Sequence, residues 1–380
     1  MLNLKIFDRY IGKQLLGSII AATIVLSVVL VLANLFKKLI GVLSQHPELG
    51  WGFVFEFASN VLPFSLIFTI PWACLTSILL IFGRLSADNE LTALRMAGLS
   101  MARICTPVFV ISILMTCFTF LMNVEVAPKS QAKIAQIFFE LATENPGAMF
   151  VNDEVVNTLP GYSLFTTERE LIDEESGQYL LKNLQLVKLS DRKRPEMFVQ
   201  ADEAIIGFEP GNNDDLYLEL TKAHLEKASG IEARDFNKAQ MVQPGEAILQ
   251  LSLAELKERH RKERPSFMTV AELGREIRDA NDDPKRKSTL LTEFHKRFSL
   301  SMACITFTFI GIPLGITAQR RETTVGFALS LIIAIAYFLF IVIAEMFHEN
   351  PDAFPHLLMW TPNLVFLSLG LVLFWRLSRR

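Results

Sequence analysis

Cysteine is scarce in this sequence, and its placement rules out crosslinking. There are 4 in 380 residues, and Cys74, Cys105, Cys117 and Cys304 all lie in or at the ends of apolar runs, where they read as small packing residues. The polar middle of the chain has none, so no disulfide framework holds it, even in an oxidising compartment. Basic charge is not in excess either. With 37 Lys and Arg against 40 Asp and Glu, a net of −3 and no basic stripe, no nucleic-acid partner is expected. The chain has no GxxxxGK[ST] loop to cradle nucleotide phosphates, no HExxH, no CxxC pair and no nucleophile elbow. His348 and His356 share a loop without a third ligand, so neither a metal nor another cofactor is expected. These absences leave no support for an enzyme.

Charge itself is missing from long stretches. Residues 14–36, 53–82, 104–127, 298–318, 325–347 and 358–375 are nearly free of it, and a polar block at about 129–296 separates the first three from the last three. Overall 51% of residues are hydrophobic, 30 are Phe and mean hydropathy is +0.33, while 20% are charged. A bilayer crossing takes roughly 20 apolar residues, so the pattern predicts six transmembrane helices. The run 53–82 is long and carries Pro63 and Pro71; it reads as one kinked helix or as a re-entrant pair. The first run is too long for a signal-peptide core, and no cleavage site precedes Lys37 and Lys38.

Orientation follows from basic residues beside the spans. One side collects Lys5, Arg9, Lys13, Arg84, Arg95, Arg103, Arg320, Arg321, Arg376, Arg379 and Arg380; the other has only Lys37 and Lys38 in its short loops. Both termini are therefore expected in the cytoplasm and the polar block outside. The expected organisation is helices 1–3 over 1–128, an external domain with helical spacers over 129–287, and helices 4–6 over 288–380.

Within the block the rhythm changes. "LYLELTKAHLE" sets Leu216, Leu218 and Leu220 against Tyr217, Glu219 and Thr221, and "AILQLSLAEL" sets Leu249, Leu251 and Leu253 against Gln250 and Ser252. Alternation with period two predicts strands. Turn signals stand at Pro160-Gly161, Ser176-Gly177, Pro210-Gly211-Asn212-Asn213, Ser229-Gly230 and Pro244-Gly245. Evenly spaced strands suggest an all-β domain: a sandwich, a jelly roll or an open barrel. Its interior is either a closed core or a splayed groove able to hold a lipid chain, and its edge strands offer a place for another sheet to add on. Two helical runs follow, "LAELKERHRKERP" and "SFMTVAELGREIRDAN", with Thr269 capping the second and Glu272 in its first turn.

Between the second and third apolar runs lies "GRLSADNELTALRMAGLS", residues 83–100. It predicts a short helix over about 86–98, with Ser86 as N-cap, Asp88 and Glu90 near the positive end of the dipole, and Gly98 as the stop. Leu91, Leu94 and Ala97 form an apolar ridge. Such a helix either rests on headgroups or serves as a knob for a cytoplasmic protein. A membrane chain with a docking helix and no motor of its own suggests transport driven in trans.

That segment, together with "FHKRFSLSMACITFTFIGIPLGI" (residues 294–316), "WTPNL" (360–364) and the early "DRYIGKQLL", resembles the LptF/LptG (YjgP/YjgQ) permease family over essentially the whole chain. The resemblance implies an inner-membrane subunit of the lipopolysaccharide exporter, working beside a second LptF/LptG-type permease on an LptB-type ATPase dimer. LptC- and LptA-type proteins extend the periplasmic path, and the external domain is a β-jellyroll. It also implies that residues 86–98 are the coupling helix, with Glu90 the acidic contact to the ATPase and Ser86, Asp88, Leu91, Leu94 and Arg95 around it. Lys37 and Lys38 match a basic cluster at the outer end of the first helix; with Arg297 they are the candidates for binding lipid headgroup phosphates. Gly311, Pro313 and Gly315 form a candidate hinge, since Pro313 removes a backbone bond and the glycines ease bending; a fixed kink reads the same way. Rival readings are a permease for another lipid or a lipoprotein, and a membrane-tethered assembly factor that moves no lipid. The F role, the G role and a homodimer all remain open.

Overall fold

A computed structural model of the chain describes residues 5–45, 50–144, 155–156, 161–173, 178–189, 195–209, 212–227, 240–252, 264–280, 283–318 and 323–379. They divide into two compact units, one of Met1–Gln131 with Met268–Arg380 and the other of Ala132–Phe267. The first is helical: α1 (Lys5–Gln45), α2 (Trp51–Ala87), α3 (Glu90–Met96), α4 (Met101–Leu121), the start of α5 (Ala127–Glu144), α6 (Val270–Asp279), α7 (Pro284–Ala318), α8 (Thr323–Met346), α9 (Pro355–Leu358) and α10 (Thr361–Arg379). Six stretches are long and apolar enough to cross a membrane: Phe7–Phe36, Trp51–Ala87, Met101–Ile137, Pro284–Thr317, Val325–Met346 and Pro355–Leu377.

Of these spans α2 and α7 are mostly buried within the protein, whereas α1, α8 and α10 turn most of their apolar surface outward, as helices facing lipid tails do. One core joins Ile11, Leu15, Ile78, Phe82, Ile104 and Ile312; a second joins Leu75, Phe307, Ile310, Tyr337 and Met359. The long run with Pro63 and Pro71 is one continuous helix, not a re-entrant pair. Between α4 and α5 the helix widens to a π-turn over Met122–Val126, with the Ala127 N–H reaching the Met122 carbonyl. The cause lies one residue on: Pro128 has no N–H to give the Val124 carbonyl and its ring would crowd it.

The second unit carries a small antiparallel sheet: β1 (Val155–Val156), β2 (Tyr162–Phe165), β3 (Glu168–Asp173), β4 (Gln178–Leu189), β5 (Pro195–Glu209), β6 (Asn212–Lys227) and β7 (Gln240–Ser252). The order is β1-β2-β4-β5-β6-β7, and β3 pairs with the other end of β4. Expected alternation holds in β6, where Leu218 and Leu220 are buried and Glu219 is exposed, but the phase then slips to Ala223. The same three-residue step recurs at Leu181 to Leu184 in β4 and Ala201 to Ala204 in β5, beside Asn183 and Lys222, whose φ of 52° in each case is left-handed. The pairing of β4, β5 and β6 stays in register through this step, and the register shifts only between β6 and β7, at Leu220/Ala223. The apolar face gathers Leu181, Leu186, Val199, Ile206 and Leu218 into one buried cluster.

Not every turn signal survives. Pro244 and Gly245 lie inside β7, in the register slip between the Ala223–Gly245 and Leu225–Val242 pairs, where an edge strand tolerates a proline. Gly161 does turn, at φ 74°. Asn212 and Asn213 begin β6. Pro160, Ser176-Gly177, Pro210-Gly211, Ser229-Gly230 and the helical run over 253–263 lie outside the described residues. The Thr269 cap is a full capping box, its hydroxyl accepting from the Glu272 N–H while the Glu272 carboxylate accepts from the Thr269 N–H.

Candidate functional site

The polar segment between α2 and α4 is a small, tightly bounded foot. Its start differs from expectation. Ser86 is not an N-cap; α2 continues to Ala87, and the Ser86 hydroxyl donates to the Ile316 carbonyl of α7 at 3.0 Å. The reversal is made by Asp88, which ends α2, and Asn89, which is left-handed at φ 57° and precedes α3. Asn tolerates that conformation better than other side-chain-bearing residues do. The stop is as expected: Gly98 sits at φ 87°, its N–H bonds the Arg95 carbonyl and the Leu99 N–H bonds Leu94, the paired bonds of a Schellman ending. Ser100 then caps α4 by accepting from the Arg103 N–H.

Two of the three ridge residues turn inward, while Ala97 is exposed. Leu91 is 6% exposed and Leu94 is half-buried, both in the core with Phe82, Leu85 and Ile316. They anchor the foot, and burial there is worth about 1.5–3 kcal/mol for each fully covered Leu. What faces outward is Asp88, Thr92, Ala93, Arg95 and Met96, with Glu90 half-exposed. Met96 is 85% exposed, and the sequence reading did not single it out. Around the foot, Arg103 pairs with Asp8 at 2.6 Å and Arg84 donates to Gln14 at 2.6 Å, tying α4 and α2 to α1.

The opposite end of the helical unit is also polar. Lys296 on α7 lies 2.6 Å from Glu293 and 2.9 Å from Glu345 on α8, and Arg297 lies 3.2 Å from Glu293. Arg297 is 3% exposed. Its guanidinium lies inside the protein, facing Glu293. Lys37 and Lys38 fall within α1 just beyond the Phe7–Phe36 span; their side chains are outside the described set. Nearby, the Trp360 indole donates to His295 Nδ1 at 3.1 Å. Glu125, at the π-turn, pairs with Lys129.

Between the two ends runs a chain of intramembrane hydrogen bonds centred on Asn363 of α10. Its amide nitrogen donates to the Ser299 carbonyl at 2.9 Å and hydroxyl at 2.8 Å; its oxygen accepts from Thr306 at 2.8 Å and Tyr337 at 3.1 Å. Further pairs, Ser112 with Thr308 and Asn123 with Ser301, fasten α4 and the π-turn to α7. The candidate hinge residues sit in close packing. A Cβ on Gly311 would lie 3.1 Å from Ile78, and one on Gly315 would lie 3.1 Å from the Phe82 Cβ and 3.2 Å from the Leu79 carbonyl oxygen. Pro313 lies between them inside a helix that continues unbroken to Ala318.

Against known proteins, residues 9–376 match the family model of the lipopolysaccharide export system permease LptF/LptG. The chain belongs to the LptF/LptG family. It is thus an inner-membrane, multi-pass permease of a lipopolysaccharide export system, a transport subunit. No curated protein matches it. The quoted motifs of the LptF/LptG resemblance now have places: the first forms the foot, the second most of α7 and the third the start of α10 with its saturated asparagine.

Proposed function

We propose that this LptF/LptG permease draws lipopolysaccharide from the inner membrane under the drive of a separate LptB-type ATPase dimer that grips the foot. The single observation carrying the reading is the foot's construction: a helix closed at its end by Gly98, anchored by Leu91 and Leu94 and presenting Asp88, Glu90, Arg95 and Met96 outward. A segment resting on headgroups would turn Leu91 and Leu94 toward the membrane surface; here they are spent inside. Both termini and the foot lie in the cytoplasm by the distribution of Arg and Lys, and the sheet unit lies in the periplasm. There it forms part of a β-jellyroll path, continued by LptC- and LptA-type proteins through strand addition at its edges. A second LptF/LptG-type permease completes the cavity. Lys37 and Lys38, at the outer end of α1, attract the lipid phosphates, and the cavity loses affinity for lipid when the ATPase closes.

The test is Glu90→Lys. Reversing the charge at the docking face should leave the chain in the membrane at normal abundance while the ATPase no longer copurifies and lipid release stops. Normal copurification and transport in that variant would remove the docking assignment.

A further inference from the structure

Ser86 stands one residue before the end of α2, beside the foot, yet it is bonded to a different helix. The carbonyl it serves, Ile316, is among the last four of α7, which have no partner within that helix. So α2 supplies a cap for α7 at the point where the foot begins. Two other observations tie the same elements. The seam between them is lined by glycine: Gly315 and Gly311 approach α2 so closely that a Cβ would fall 3.1 Å from Phe82 and from Ile78, and one on Gly83 would lie 3.7 Å from the Gly315 oxygen. And Leu91 of the foot shares one apolar core with Leu85 of α2 and with Ile312 and Ile316 of α7. That core also takes in Met101, Ile104 and Cys105 of α4, which follows the foot through Gly98 and the extended Ser100.

At its other end α7 is fastened to α8 and α10 through Lys296–Glu345 and through Ser299 with Asn363. From Arg297 to Ile316 a helix spans about 30 Å at 1.5 Å per residue, the thickness of the hydrocarbon layer.

We propose that Ser86 is a positioning residue that locks the foot to α7, so that a stroke received at α3 is delivered along α7 to the outer ends of α8 and α10. The proposal deepens the docking reading and rests on it. One hydrogen bond does not carry the stroke; packed backbone does. The Ser86 bond sets the register in which the two helices travel together.

The experiment uses the whole complex, purified from native membranes through this chain and reconstituted with lipopolysaccharide, reading ATP hydrolysis and lipid released per ATP. Ser86→Ala should keep the ATPase bound and hydrolysing at the normal rate while lipid released per ATP falls about fivefold, the worth of one hydrogen bond. Ser86→Thr, which keeps the hydroxyl, should restore it. Gly315→Ala, which forces Leu79 and Phe82 away, should lower the same ratio, and it decides the matter should Ser86→Ala fail to accumulate. An unchanged ratio in Ser86→Ala, or in Gly315→Ala where that variant decides, overturns the relay, as does loss of the ATPase from Ser86→Ala, which would place Ser86 on the docking face instead. Glu90→Lys run alongside separates the two ideas. If it releases the ATPase while Ser86→Ala transports normally, only the relay falls; if it keeps the ATPase and transports normally, the docking reading falls and takes the relay with it.

Discussion

Asn363 uses all of its hydrogen-bonding capacity, two donors on Ser299 and two acceptances from Thr306 and Tyr337, in a place where water offers no alternative. Each interhelical bond in a membrane is worth about 0.6 kcal/mol on average. Asn363→Leu should therefore cost about 1–3 kcal/mol, because it also strands buried partners, and detergent-denaturation titrations should show it. The sequence displayed this residue only as one letter of "WTPNL". An isolated Asn at the edge of an apolar run is a visible signal, but its partner Ser299 lies 64 positions away, and only the packing of α7 against α10 brings them together. Ser86 shows the opposite failure. Its type favours an N-cap, and that local preference lost to a distant carbonyl at the end of α7.

At the scale of elements, the outer end of α7 is a charge cluster whose members support one another. Lys296 bridges Glu293 of its own helix and Glu345 of α8, and Arg297 serves Glu293 from the next position. Breaking a buried pair outright costs about 3–5 kcal/mol. Lys296→Met should cost about 2 kcal/mol, less than that range because Arg297 still faces Glu293. The double change Lys296→Glu with Glu345→Lys should not recover it, since Glu293 would then meet a like charge. Thermal unfolding of the purified protein checks both. The charges at 293, 296 and 297 are legible as helical neighbours, but not their burial, which depends on α8. Elements were read best where their ends are written in backbone chemistry, as at Gly98 and the Thr269 box. They were read worst where proline acts at a distance, as at the π-turn before Pro128 and the slip at Pro244.

For the whole molecule, hydropathy alone carried most of the architecture. Apolar runs long enough to cross a bilayer admit few other fates, and all six are helices here. The direction of insertion is a separate matter, open to direct measurement. Of the native thiols, Cys74, Cys105 and Cys304 are buried, and Cys117 lies in the apolar α4 span. A cysteine placed at the exposed Met96 position should thus dominate labelling by a charged, membrane-impermeant maleimide, and should react in inverted inner-membrane vesicles but not in spheroplasts. One placed at the exposed Ile172 of β3 should show the reverse.

The close approaches to α7 have a genetic consequence. Gly311 meets the side chains of Ile78 and Leu75, so an enlarged residue there leaves room for a compensating trim on α2, and revertants should map to that helix. Gly370 on α10 differs: a Cβ there would lie 2.7 Å from the Phe309 carbonyl carbon and 2.8 Å from the Ile310 nitrogen. Main chain cannot be whittled by mutation, so defects at Gly370 have only one cheap cure, the return of glycine itself.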